Sequence, residues 1–245
     1  MRRWAGLLLI VPLALAACQR SGHGGERDGG ASIDGLQVGE TFYASWVQVT
    51  AHPAGVRPLS DHDLGRVVGQ VVANRKNQPV ESGTPFRNLE ATFLEVGTPV
   101  YAVKGYATSF RLAARHDGKL NLYEPWASPT ARVGADLLGG IEGKVRRIGV
   151  YTDHGLRPLG VISDPRQVER LVDLVLHSPV AGQDPANSKD EYEPYVLTFH
   201  LADGTGVSRV FNAATGFLAG GVIIPERFTT AIVSTWRAHR AAATP

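Results

Sequence analysis

The first half of the chain carries short runs of alternating apolar and polar residues, which are typical of β-strands. Residues 41–50 place large side chains on both faces, as in a strand that is covered on each side. Residues 64–73 also fit a helical spacing, but their glycines and β-branched valines favour a strand. Asp117-Gly118 predicts a type I′ hairpin turn, because that turn needs positive φ at both central positions. Further strands are predicted at residues 90–95, 100–106, 110–115 and 120–124.

The second half contains the clearest helix signal of the chain. Asp164 can cap the N-terminus, Pro165 fits the first helical position, and Gln167 lies three residues after the cap. Ser178-Pro179 ends the helix, because the residue before a proline avoids the helical conformation. The apolar residues recur at helical spacing and predict one buried face. They are Val168, Leu171, Val172, Val175 and Leu176.

Strands and a second helix complete this half. In residues 195–201, Phe199 shares a face with Tyr195, whereas His200 lies on the opposite face and is interpreted as a surface or hydrogen-bonded histidine. A last helix is predicted to begin at Pro225-Glu226, with Phe228, Ala231, Ile232, Thr235 and Trp236 as its buried stripe. The other strands are predicted at residues 145–153, 159–163 and 207–211. The pattern predicts an α+β module with two amphipathic helices on one face of an antiparallel sheet.

Two stretches without apolar periodicity predict the boundaries of these modules. Residues 18–40 are rich in glycine and polar side chains, which is typical of a flexible tether. Residues 127–140, near two prolines and a glycine pair, predict a linker. We therefore expect an antiparallel β module at residues 41–126 and the α+β module at residues 141–240. The alternative is one domain with a long internal loop.

Residues 1–17 have the three-part pattern of a secretory signal peptide. Arg2 and Arg3 give a positive start, an apolar run follows at residues 7–15, and small residues come next. The run is too short to cross a bilayer comfortably, since a spanning helix needs about 20 residues. A transmembrane anchor or a buried helix is the alternative, and Pro12 weakens both.

Leu15-Ala16-Ala17-Cys18 resembles the lipobox of bacterial lipoproteins. The resemblance implies that the signal peptide is cut before Cys18 and that Cys18 carries the lipid, which anchors the exported chain to the extracytoplasmic face of a membrane. In a Gram-negative cell, Gln19 in place of an aspartate would favour the outer membrane. Residues 97–124 are also similar to segments of uncharacterised bacterial surface lipoproteins, a resemblance that implies no activity.

Composition and charge exclude several classes of protein. The chain has 245 residues, with 25 basic against 23 acidic side chains. Removal of residues 1–17 takes away two arginines and no acid, so the mature chain has no formal net charge. This balance argues against a nucleic-acid partner, which would need a strong basic excess. The single cysteine excludes an internal disulfide and a cysteine-rich zinc site.

The candidate chemistry of the chain is sparse. The sequence contains no GxSxG, HExxH, phosphate-loop or GxGxxG motif, so we predict no catalytic residue, no metal ligand and no cofactor. His52, His62 and Asp63 could ligate a metal, but their spacing matches no standard pattern. The acidic segment 184–193 lacks the order of residues in a calcium loop. Tyr192 and Tyr195 beside it are predicted to contact a partner.

These observations favour a membrane-tethered, non-enzymatic binding or interaction module. Its expected partners are the membrane, through Cys18, and an envelope protein or the cell wall. Two alternatives stay open: an extracytoplasmic hydrolase with an unrecognised site, and a regulatory or sensory envelope lipoprotein. The first is open because catalytic groups converge in space rather than in sequence.

Overall fold

A computed structural model of the chain describes residues 34–45, 55–76, 86–152, 157–181 and 194–242, and all structural statements below concern these residues. They belong to one compact unit. The architecture is α+β, with two β-sheets and three α-helices, as the apolar pattern predicted in outline. None of the described helices combines the length and the apolar character that a membrane span requires.

The first sheet contains eight strands from the N-terminal half, in the order β3-β6-β7-β8-β2-β1-β5-β4. Its neighbouring strands are antiparallel, except for the parallel pair β4 and β5. The two-residue turn between β7 and β8 has positive φ at Asp117 and Gly118, which confirms the predicted turn. The strands are β1 Asp34–Val38, β2 Thr41–Ser45, β3 Leu64–Gln70, β4 Ala73–Asn74, β5 Glu90–Ala91, β6 Pro99–Val103, β7 Leu112–His116 and β8 Lys119–Ala127.

The second sheet contains six antiparallel strands, in the order β10-β9-β11-β12-β13-β14. Three helices accompany it, namely α1 Gly134–Leu138, α2 Pro165–His177 and α3 Glu226–Ala242. Short 3₁₀ turns lie at Asp61–Asp63 and Gly139–Ile141. The strands are β9 Val145–Thr152, β10 Pro158–Ile162, β11 Pro194–Leu201, β12 Gly206–Asn212, β13 Phe217–Leu218 and β14 Val222–Ile223.

The helices pack on the face of the second sheet that carries Phe199. Strand register places Phe199 beside Ile148, and both lie in the same core as the stripes of α2 and α3. Phe228 of α3 meets Phe211 of β12 edge to face, with ring centroids 5.6 Å apart. The predicted stripe of α2 is confirmed, since its members are all buried: Val168, Leu171, Val172, Val175 and Leu176. The Asp164 cap is also confirmed, because its Oδ1 accepts a 2.8 Å hydrogen bond from the backbone nitrogen of Gln167.

A smaller core lies against the first sheet and corrects the predicted start of the fold. β1 falls inside the stretch predicted as tether, and its Leu36 is completely buried. The segment has few apolar residues, so its alternation is too short to be recognised in the sequence. The other buried apolar members of this core are Tyr43, Val71, Ala91, Leu94, Val100, Leu112, Ala114 and Tyr123.

The segment predicted as a linker, residues 127–140, is also corrected. It contains α1, and Leu137 and Leu138 are buried in the second core. Gly134 begins this helix against α2, where an added Cβ would collide with the carbonyl oxygen of Val175. A five-residue helix spans too little of the 3.6-residue period to show amphipathicity in the sequence.

Candidate functional site

Most of the residues singled out in the sequence fall outside the described ranges or inside the core. Cys18, His52, Tyr192 and the acidic segment 184–193 lie outside the described residues. Tyr195 is buried, and its ring lies 6.4 Å from that of Trp236, so it supports the core of the second sheet. Tyr195 therefore does not offer an exposed aromatic ring for the predicted partner contact.

Asp63, one of the candidate metal ligands, forms an ion pair. Both of its carboxylate oxygens accept hydrogen bonds from Arg57, each 2.8 Å long, and the backbone nitrogen of Ser60 donates a third. The hydrogen bond from Arg57 is the main reason that the pKa of Asp63 lies well below its ordinary value. Neighbouring His62 is exposed. The described residues contain no group of three or more His, Cys, Asp or Glu arranged to hold a metal ion.

His200 lies on the face of β11 opposite to the helices, as predicted, and it is buried. Its Nε2 is 3.3 Å from the hydroxyl oxygen of Tyr151. Burial, together with the nearby charge of Arg147, lowers the pKa of His200 to about 4. The ring is therefore neutral at physiological pH.

A buried ionic cluster joins the two sheets. Glu124 of β8 accepts hydrogen bonds at Oε1 from Nε and Nη2 of Arg111, 3.1 and 2.9 Å long. Its Oε2 accepts a 2.9 Å hydrogen bond from Nη1 of Arg209 on β12. Arg111 and Arg209 are 0% and 1% exposed, so neither guanidinium group reaches solvent. Burial lowers the pKa of Arg209, and the charge of Glu124 acts in the opposite direction.

The cluster continues toward the surface through a chain of hydrogen bonds. Nη1 of Arg111 donates to the hydroxyl oxygen of Thr205, and Thr205 donates to Oδ1 of Asp203, both over 2.7 Å. The hydroxyl of Tyr106 donates to the other oxygen of Asp203 over 2.8 Å. Burial alone would raise the pKa of Asp203, but the hydrogen bonds and the charge of Arg111 lower it. The two arginines thus face two carboxylates, and the formal charges balance.

This cluster is positioned to hold the fold together. Nη2 of Arg111 also donates to the carbonyl oxygen of Gly206, and Nη2 of Arg209 donates to that of Pro125, over 2.7 and 3.2 Å. Each arginine therefore contacts backbone across the boundary between the sheets. A buried, fully engaged set of charges offers no free group to a substrate. The sequence gives no sign of it, since Arg111 and Thr205 are 94 positions apart.

A groove of about 450 Å³ lies on the outer surface, between α2 and α3. Arg170 of α2 and Arg227 of α3 line it, and both are exposed. Leu174 and Ala231 are half-buried apolar residues in the lining, and Leu171 below them is buried. These side chains make an apolar surface flanked by two cations. Nothing in the spacing of the arginines singled them out, because charged residues on the outer face of a helix are ordinary.

A second depression, of about 430 Å³, lies beside the hairpin of β7 and β8. Leu59 and Leu120 contribute to its apolar lining, and Arg115, Lys119 and Asp61 contribute charge. Arg115 forms an ion pair with Asp61, so its guanidinium group is already engaged. The groove between the helices is therefore the better candidate for binding an external group.

Comparisons with known proteins give no relative whose site could be transferred to these residues. No protein-family model, no curated protein and no solved structure matches the chain.

Proposed function

We propose that the chain is an exported bacterial lipoprotein, anchored by lipid on Cys18 to the extracytoplasmic face of a membrane. Its folded unit is a non-enzymatic binding module that contacts an envelope partner or the cell wall. The observation that carries the proposal is Leu15-Ala16-Ala17-Cys18 at the end of a charged and apolar N-terminal segment. Two or three acyl chains on one residue would anchor the chain stably, since each buried CH₂ contributes about 0.8 kcal/mol.

The position of β1 sets the length of the tether in this proposal. Fifteen residues, 19–33, lie between Cys18 and the first residue of β1. The covalent chain limits the distance between Cys18 and β1 in this proposal to at most about 55 Å. The folded unit would therefore stay close to the membrane surface, within reach of lipid head groups and neighbouring envelope proteins.

The ionic cluster supports the role of a binding module. In our proposal each sheet forms one module, and Arg111, Glu124 and Arg209 hold the two modules in one orientation. A surface that is rigid before binding loses less conformational entropy when a partner docks. The groove between α2 and α3 belongs to such a surface, because both helices are packed on the core of the second sheet.

Metabolic labelling with a fatty acid tests the anchor. The full chain and its Cys18→Ser variant are expressed in a bacterium that is fed a labelled fatty acid, and Ser21→Ala serves as the matched control outside the lipobox. We expect label on the wild type and on Ser21→Ala, and an unlabelled, unprocessed precursor for Cys18→Ser. Undiminished label on the Cys18→Ser variant would reject the proposal.

A further inference from the structure

Two cationic side chains at the groove between α2 and α3 have no partner among the described residues. Neither Arg170 nor Arg227 forms a hydrogen bond, an ion pair or a contact with an aromatic ring there. Arginine is weakly hydrated, and its planar fork matches the oxygens of a phosphate or carboxylate. Two such groups beside one groove therefore favour an anionic ligand.

The acidic residue of this groove does not cancel that charge. Asp173 also lines it, and its Oδ1 lies 3.0 Å from Nδ1 of His177, one turn further along α2. Two guanidinium groups therefore line the groove against one carboxylate, which leaves a formal charge of +1 there. The attraction is local, because the mature chain as a whole has no formal net charge.

The remaining lining adds a second requirement on the ligand. Leu171, Leu174 and Ala231 form an apolar surface between the two arginines. A purely ionic ligand would leave this surface unused, whereas a molecule with an anionic head and an apolar body would cover it. The volume of about 450 Å³ lies within the usual range for small-ligand sites.

We infer that the groove binds an anionic phospholipid of the membrane that carries the anchor. The phosphate lies against Arg170 and Arg227, and the adjoining apolar part of the lipid lies over Leu174 and Ala231. This inference rests on the proposed function, since an anchor separated from β1 by only fifteen residues would keep these lipids at a high effective concentration. An acidic peptide would bind the same arginines. We choose a phospholipid because the anchor on Cys18 would hold the folded unit at the membrane.

The inference is tested by measuring phospholipid binding to residues 19–245. This chain lacks Cys18 and its lipid but retains every described residue. The probes are vesicles of phosphatidylglycerol and phosphatidylcholine, vesicles of phosphatidylcholine alone, and monomeric dihexanoyl phosphatidylglycerol. We expect binding to the vesicles that contain phosphatidylglycerol and to dihexanoyl phosphatidylglycerol, and none to vesicles of phosphatidylcholine alone. The double variant Arg170→Gln, Arg227→Gln should weaken it about tenfold or more, since two charge-assisted contacts are lost.

The control variant is Arg66→Gln, Arg146→Gln, which removes the same charge from two exposed arginines on β3 and β9. It should change the affinity less than about twofold, as expected for distant surface charges in salt. Equal weakening by both double variants would overturn the inference, as would equal binding to phosphatidylcholine. Binding of a polyglutamate peptide without binding of dihexanoyl phosphatidylglycerol would assign the groove to an acidic peptide instead.

These outcomes are separable from those of the labelling experiment. Binding of phosphatidylglycerol through Arg170 and Arg227 without label at Cys18 would support the groove as a lipid site and reject the lipid anchor. Label at Cys18, together with a double variant that binds vesicles as well as the wild type, would support the anchor and reject the lipid site.

Discussion

Arg111 donates two hydrogen bonds to one oxygen of Glu124, from Nε and from Nη2, and leaves the other oxygen to a second arginine. Glu124 is therefore shared between the sheets, since Arg209 approaches it from β12. One carboxylate therefore contacts two buried cations at once, and Asp203 balances the second charge through Thr205. Loss of Glu124 should affect the whole fold rather than one strand.

Replacement of Glu124 tests this consequence. Glu124→Gln keeps the shape of the side chain but removes the carboxylate that both buried guanidinium groups contact. Breaking a buried ion pair by removing one partner costs about 3–5 kcal/mol. We expect the free energy of unfolding, measured by urea denaturation, to fall by about that amount. The control Glu95→Gln lies at an exposed position and should change it by less than about 0.5 kcal/mol. A loss below about 1 kcal/mol for Glu124→Gln would show that the cluster contributes little to the stability of the fold.

Two glycines of residues 127–140, the segment that contains α1, give a second test. Gly134→Ala places a methyl group against the carbonyl oxygen of Val175, so α1 must move away from α2. Overpacking of this kind costs about 1–3 kcal/mol. Gly139→Ala has open space around its Cβ and a helical backbone, and it should be neutral or slightly stabilising. Thermal unfolding separates the two variants, and equal melting temperatures would mean that α1 is not packed as described.

The cap of α2 gives a third prediction. Asp164→Ala removes the acceptor for the backbone nitrogen of Gln167, which should cost about 1 kcal/mol of stability. Asp164→Asn retains an oxygen acceptor and should recover most of this loss. Urea denaturation of both variants is the measurement. Equal stability of the two variants would show that the hydrogen bond contributes little.

The burial of His200 predicts a dependence of stability on pH. Its pKa is about 4 in the folded chain, against an ordinary value of 6.5, so only the unfolded chain takes up the proton between these values. The contribution to stability is complete above pH 6.5 and is lost as the pH falls toward 4. Each unit of pH in this window changes the free energy of unfolding by about 1.4 kcal/mol.

The comparison with His200→Gln isolates this contribution. Urea denaturation at several pH values between about 7 and 5 should give a steeper loss of stability for the wild type than for the variant. The slopes are compared rather than the absolute stabilities, because the substitution itself perturbs a buried position. Parallel slopes would mean that His200 takes up its proton equally well in the folded and unfolded chains.

The sequence predicted those parts of the fold that depend on neighbouring residues. The Asp164 cap and the apolar stripe from Val168 to Leu176 lie within one helix. Asp117-Gly118 lies within one turn. Such signals depend on backbone preference and periodicity, which act over a few positions.

The parts that the sequence did not predict depend on distant residues or on very short elements. Glu124 and Arg209 are 85 positions apart, and no local pattern indicates that they meet. The alternation of β1 and the single turn of α1 were too brief to distinguish from a tether and a linker. Arg170 and Arg227 became a candidate site only when the packing of α2 and α3 placed them around one groove.

Mass spectrometry of the N-terminal peptide tests the lipid on Cys18 directly. Trypsin cleaves after arginine, so a chain processed before Cys18 releases the tripeptide Cys18-Gln19-Arg20 with its lipid attached. We predict this tripeptide from purified membranes, with a mass raised by a diacylglyceryl group and by one further acyl chain where the amine is modified. An unmodified Cys18 within a peptide that still contains residues 4–20 would contradict both the cleavage before Cys18 and its lipidation.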